Sequence, residues 1–414
     1  VLNSQHIVRF WSLMLLCLVE NYSFSQNSWS VYNESNSPLP NNTVRCLLID
    51  RENHLWVGTD NGLLEMEGAS SNLYSSANSP LADNYIRALA VDSSNAIYIG
   101  TTSEGIFKFD GSHWSALNTS NSGIPSNFIR ALTVDLDQRL WVGTVEGFAC
   151  LDQGNWTTWN IANSGLLSNN ITAIASTTAA QYIGTINGGL IYLTNQGIAN
   201  YTLLNSGVPD NSVISVQLDQ NNQPWFASTS QGIFTDSGNQ TWFSYNVLNS
   251  AIPSNSITAF ELDENDNFLI GTQQDGFALF ENGATWSHYH TNNSPLPDNH
   301  VLSCTRDSNQ VIWLGTGNAG LVRVAIHQNS TMSLENSSFE AFPNPIQDGN
   351  LLHWSDAYDV QKISFYELTG ALIGCEFIAH GQKAIQIPST RSAMVIAEWS
   401  IEQAVIRRLI CLQR

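Results

Sequence analysis

A five-residue stretch, Leu55-Trp56-Val57-Gly58-Thr59, recurs along this chain at a nearly fixed spacing. Trp141-Val142-Gly143-Thr144 and Trp313-Leu314-Gly315-Thr316 repeat it almost unchanged. Tyr98-Ile99-Gly100-Thr101, Tyr182-Ile183-Gly184-Thr185 and Leu269-Ile270-Gly271-Thr272 are looser copies, and Trp225-Phe226-Ala227-Ser228 is the most divergent. The glycine column falls at 58, 100, 143, 184, 227 (an alanine there), 271 and 315, giving steps of 42, 43, 41, 43, 44 and 44 residues. A period of this length restricts the chain to a radial array or a solenoid, since one such unit cannot bury its apolar face alone.

Each unit opens on a turn such as Ser37-Pro38-Leu39-Pro40-Asn41-Asn42 or Ser122-Gly123-Ile124-Pro125-Ser126-Asn127. An apolar run follows, Val44 to Ile49 or Ile129 to Val134. It is too short for a buried helix and is bounded by turn residues, so it is predicted to be a strand buried on both faces. Asp50, Asp92, Asp135, Asp219, Asp263 and Asp307 then begin a polar turn, where a carboxylate can accept from backbone N–H groups of its own turn. The fourth unit has Thr177 there and a turn one residue shorter. The Trp-Val-Gly-Thr strand, a strand after a glycine (62, 105, 147, 189, 232, 276 or 320) and an aromatic strand such as Trp156-Thr157-Thr158-Trp159 complete the unit. Four short strands per unit without helical periodicity predict a β-propeller blade.

The last unit ends at Val324 without its aromatic strand, while Trp29-Ser30-Val31-Tyr32 stands before the first. Trp29 lies eight residues before Ser37, as Trp114 lies before Ser122 and Trp286 before Ser294. The expected fold class is therefore all-β: a seven-bladed β-propeller of four-stranded blades over 26–326, closed by the N-terminal strand. An open solenoid would need caps rather than a borrowed strand.

Outside the repeats, Arg9 followed by the apolar stretch Phe10 to Val19 predicts a signal peptide over 1–25, cleaved after Ser25. Residues 327–339 read as a linker, and the short strand-like runs of 340–414 as a small β-sandwich. Anionic side chains outnumber cationic ones 35 to 15, for a net charge of −20, which argues against a nucleic-acid partner. No other segment reaches membrane-spanning length, so no transmembrane segment is expected in the mature chain. Cys46 and Cys304 are expected on the innermost strands of blades one and seven, facing their shared interface as two buried thiols or as a disulfide.

The unit Leu-Pro-x-Asn, Asp, Leu-Trp-Val-Gly-Thr, Gly-Leu, Trp-x-x-Tyr resembles the two-component regulator propeller repeat, abundant in sensors and secreted proteins of Bacteroidetes. The tail resembles the type A C-terminal sorting domain of the type IX secretion system. Phe342-Pro343-Asn344-Pro345 matches its opening, Phe365-Tyr366-Glu367-Leu368-Thr369-Gly370 its middle and Arg407-Arg408-Leu409-Ile410 its end. These resemblances imply export through the periplasm, a partnership of residues 340–414 with the type IX machinery, and release or attachment at the outer-membrane surface.

No phosphate loop, metalloprotease helix or nucleophile elbow occurs, so neither a catalytic residue nor a cofactor is assigned. His288 and His290 alternate onto one strand face but lack a third ligand, and the oxygen-rich run Asp263 to Asn267 reads as a solvated hairpin, so no metal is assigned. One repeat position stands out by contrast with its copies. It is Arg45, Arg87 and Arg130 in blades one to three, and Thr172, Ile214, Thr258 and Leu302 in the others. Only eight cationic residues lie between Gln26 and Ile326. Two residues earlier stand Tyr85, Phe128 and His300, and three residues before the arginines stand Asn42, Asn84 and Asn127, within a ring of seven asparagines. These positions start the innermost strands, near one mouth of the channel. Two readings stay open: a ligand site for a glycan or peptide, or loops braced by asparagine with arginines paired to carboxylates. At the level of the whole protein, a surface binding module stands against a polysaccharide lyase or hydrolase using channel-mouth carboxylates and His300, and against a scaffold part of the secretion machinery.

Overall fold

A computed structural model describes residues 28–325 apart from Asn239, together with the backbone of strands between 341 and 413. Asn27–Ile326 and the remainder form two separate units. The first consists of seven antiparallel four-stranded sheets in radial succession, six of them running from an innermost to an outer strand in chain order. Blade one comprises Val44–Ile49, Leu55–Thr59, Gly62–Glu67 and Ser70–Tyr74. Blade seven takes Val301–Arg306, Val311–Thr316 and Leu321–Ala325 from the end of the array and its outer strand, Ser28–Tyr32, from the beginning. The borrowed strand pairs in register, Trp29 with Val324 and Val31 with Val322. Trp29 also meets Tyr289 of blade six edge-on at 5.5 Å, so the closure is by packing as well as by backbone pairing.

The recurrent motif has one physical job per letter. In blades one, three and seven the tryptophan indole N–H donates to the turn aspartate: Trp56 to Asp50 (2.9 Å), Trp141 to Asp135 (2.8 Å) and Trp313 to Asp307 (3.1 Å). The other carboxylate oxygen accepts two backbone N–H groups of the turn, as Asp50 does from Glu52 and His54. Thr177 does the same with its hydroxyl in the shorter turn of blade four, accepting from Ala179 and Ala180. The glycine is required by the next blade. A Cβ on Gly58 would stand 2.7 Å from Ile86 Cγ2, on Gly100 2.5 Å from Ile129 Cγ2, and on Gly315 2.5 Å from Val44 Cγ1. The last of these joins blade seven to blade one. The final threonine, fully buried, donates to the carbonyl of the glycine opening the third strand, as Thr59 does to Gly62 at 2.8 Å.

Two expectations are corrected. The strand buried on both faces is the second one, with all of Leu55–Thr59 buried, whereas in Val44–Ile49 only Val44 is fully buried. At the position after the first core pair, Leu47, Leu89 and Leu132 of blades one to three are half-buried and line the central channel, while Ile174, Val216, Phe260 and Cys304 of the other four are buried. The Cys46 and Cys304 side chains do lie on opposite strand faces, but those faces look away from their shared interface. Cys46 packs toward blade two beside Ile86, and Cys304 toward blade six, its thiol 3.5 Å from the Leu269 carbonyl. Both are free thiols.

In the second unit, strands Ala341–Phe342, Leu351–Trp354 and Ala384–Gln386 form one sheet. Ile346–Gln347, Val360–Tyr366, Leu372–Phe377, Met394–Ile401 and Ala404–Gln413 form another. The expected signal peptide and linker, and the side chains of the tail motifs, lie outside the described residues. Among the described residues no helix is long and apolar enough to cross a membrane.

Candidate functional site

A β-bulge builds the site. In every blade the pairing between innermost and second strand slips by one residue at the same place, between Val44 and Cys46 in blade one, Ile86 and Ala88 in blade two, and Ile129 and Ala131 in blade three. The bypassed residues are Arg45, Arg87 and Arg130, then Thr172, Ile214, Thr258 and Leu302. A bulged residue leaves the ladder and its side chain is re-aimed. All seven line one cavity of about 460 Å³, together with Thr229, Ser256 and Gln273. One repeat position thus forms a ring around the channel near its mouth, with cationic groups on three successive blades and apolar or hydroxyl groups on the other four.

The three arginines are held differently. Arg45 grips Asp60 side-on, Nε to Oδ1 at 2.5 Å and Nη2 to Oδ2 at 2.7 Å, and this hydrogen bonding raises its pKa. Arg130 donates from Nη1 to the amide oxygen of Asn170 at 2.8 Å. Arg87 lies over the Phe128 ring at 5.5 Å. Among the described residues neither Arg87 nor Arg130 makes a salt bridge. Burial lowers the pKa of both, and the neighbouring guanidinium lowers it further, Arg45 acting on Arg87 and Arg87 on Arg130. A guanidinium does not deprotonate in a protein, so both side chains stay charged in surroundings that disfavour the charge.

The other residues singled out in the sequence divide into two groups. Tyr85, two residues before Arg87 in the chain, is 52% exposed and leaves an aromatic face open. Phe128 serves as the platform under Arg87. His300 packs its ring against Gly317, where a Cβ would come within 2.7 Å of Nδ1. None of these three lines the cavity, whereas Ser256, their counterpart in blade six, does. The asparagines brace loops. Asn42, Asn84 and Asn127 accept through Oδ1 from the backbone N–H of the residue eight positions earlier, and Asn169, Asn211, Asn255 and Asn299 repeat the contact. Their backbone carbonyls accept from the glycine N–H of the preceding blade, for example Gly62 to Asn84 and Gly320 to Asn42. Each asparagine is thus a structural link between blades, with its amide oxygen already engaged.

Sequence reasoning missed Asp60 and Asn170, which decide how two of the arginines are used. The signal was present: the position of Asp60 is Thr102, Val145, Ile186, Thr229, Gln273 and Gly317 in the other blades, so one copy alone carries a carboxylate. Elsewhere, His288 bonds the Asp275 carbonyl and His290 accepts from the Asn292 N–H. No cluster of three potential metal ligands occurs among the described residues.

Residues 38–61 and 295–318 match the two component regulator propeller family model. No curated protein matches the chain. Among solved structures, the extracellular domain of a putative hybrid two component system of B. thetaiotaomicron is similar at TM-score 0.61 and 17% identity, covering 94% of this chain and 59% of that one. PorZ, an essential surface component of the type-IX secretion system of Porphyromonas gingivalis, is similar at TM-score 0.59 and 13% identity, covering 93% of this chain and 61% of that one. Virginiamycin B lyase of Staphylococcus aureus is similar at TM-score 0.59 and 10% identity, covering 73% of this chain and all of that one. The chain therefore spans about three-fifths of the length of the two Bacteroidetes-type neighbours. At these identities the likeness is one of fold.

Proposed function

We propose that this propeller is a secreted or cell-surface binding protein that recognises an acidic glycan or peptide at the arginine-bearing mouth of its channel. The observation that carries the reading is the state of Arg87 and Arg130: two neighbouring guanidiniums, partly desolvated, without a carboxylate partner, in a chain of net charge −20. Desolvated like charges side by side are costly unless an anion joins them. Tyr85 adds an exposed aromatic face on which a sugar ring can stack. The extracellular and surface settings of two neighbours of the same fold agree with this placement.

Enzymatic action on a polysaccharide would need an acid and a base at the substrate. Asp60, the carboxylate beside the arginines, is tied to Arg45 by two hydrogen bonds, which favours binding over catalysis at this mouth. The test is an array of acidic and neutral glycans and acidic peptides, with reducing-sugar release followed in parallel. Selective binding of acidic members without release supports the reading; equal binding of neutral and acidic members, or release, contradicts it. The proposed export route through the type IX system rests on the tail motifs. Removing residues 340–414 should leave the propeller folded and trapped in the periplasm, and normal arrival at the surface would contradict that route. A scaffold role in secretion would instead appear as loss of other exported proteins on deletion of the whole chain.

A further inference from the structure

The arginine ring holds more positive charge than it presents. Arg45, Arg87 and Arg130 occupy equivalent bulges in adjacent blades, and rotation about the channel would give them equivalent roles. They are not equivalent, because blade one alone places a carboxylate, Asp60, directly after its second strand. That carboxylate takes both the Nε and Nη2 edges of Arg45. A guanidinium held bidentate in this way has given its Nε/Nη2 edge to a carboxylate, and its charge is compensated from within the fold. Among the described residues Asp60 makes its salt bridge with Arg45 and none with Arg87, so the pairing stops at blade one.

Resting on the function proposed above, we infer that Asp60 sets the charge specificity of the mouth. By occupying Arg45, it limits the site to one carboxylate, bound between Arg87 and Arg130, and so selects a glycan with a single sugar acid at this point over a run of consecutive uronates. Asp60 is in effect an internal copy of the ligand's carboxylate. Asp60 itself does not line the cavity. It acts through Arg45 and is a positioning residue.

The test uses calorimetry with galacturonic acid, tri-galacturonic acid and galactose against the full chain. Wild type is expected to bind the two acids with affinities within about three-fold and galactose far more weakly, since one carboxylate counts. Asp60→Asn keeps the shape of the side chain and removes its charge, freeing Arg45; it should tighten the trimer about ten-fold and leave the monomer within about three-fold. Arg45→Ala combined with Asp60→Asn should abolish that gain, while Arg45→Ala alone should weaken both acids by leaving Asp60 as an unpaired anion at the mouth. If wild type already prefers the trimer about ten-fold, or Asp60→Asn tightens monomer and trimer alike, the assignment of Asp60 is wrong and the anion site stands. If wild type binds neither acid, the mouth is not a sugar-acid site and both readings fall.

Discussion

Arginine stands at both ends of the innermost strands, and the two ends treat it in opposite ways. Arg306, the last residue of its strand, is 4% exposed and donates to Asp263, itself 3% exposed, and to Glu281 at 3.4 Å. Arg87 and Arg130, second in theirs, have aromatic and amide neighbours and no carboxylate. Both ends belong to the same scaffold with the same strand order. What differs is whether the blade supplies the counter-charge. A cation whose anion comes from the fold contributes to holding blades together, as Arg306 does between blades seven and six. On the function proposed here, a cation placed by the fold without an anion takes one from outside.

This contrast can be broken at several points. The largest effect should come from removing the strand that completes the ring at both ends. Deleting Ser28–Tyr32 strips blade seven of its outer strand and of Trp29, Val31 and Tyr32, which pack on the cores it shares with its neighbours. The loss should be on the order of 5 kcal/mol, read as a lower denaturant midpoint for the entire propeller. An unchanged midpoint would mean that the N-terminal strand does not close the ring.

Next comes Arg306→Ala, which leaves Asp263 buried and unpaired beside Glu261. Truncating one partner of a buried pair should cost about 3–5 kcal/mol of stability while leaving ligand affinity unchanged. A smaller, pH-dependent effect belongs to Glu261 in the same network. It accepts from Thr305 at 2.8 Å, and burial raises its pKa from 4.5 to about 7. The folded state therefore holds this proton where the unfolded chain has released it. The contribution is fully present below about pH 4.5 and is lost as pH rises to about 7, amounting to roughly 3 kcal/mol. Glu261→Gln should remove that slope from the stability profile; a slope that survives the substitution would place it on other groups.

The architecture was readable from the sequence because the motif letters answer to contacts that recur from blade to blade, the tryptophan's in three blades and the asparagine's in all seven. The period, the turn aspartates, the glycine column and the borrowed strand all repeat, and repetition reports structure. The site was readable only in part, for the same reason inverted. Arg45, Arg87 and Arg130 stood out as departures from the repeat, but the bulge that turns them into the channel is a feature of pairing, invisible in composition. The asparagine ring occurs in all seven blades, and that uniformity was itself the mark of a structural role. Asp60 departs from its copies as clearly as the arginines do from theirs. It went unread because its significance depends on reaching across from the second strand's end to Arg45. The cysteines failed differently: a one-position offset fixes relative strand face, but which blade each face meets is set by the sense of the radial succession.

The most direct test of the central claim is the Arg87→Ala variant, with unfolding stability and affinity for galacturonic acid measured on the same preparation. A charge-assisted contact contributes roughly 1.5–3 kcal/mol, so affinity should fall about ten-fold or more, with stability moving by no more than about 0.5 kcal/mol. A variant that loses stability and binds as well as wild type would show that Arg87 serves the fold, as Arg306 does, and would contradict the account.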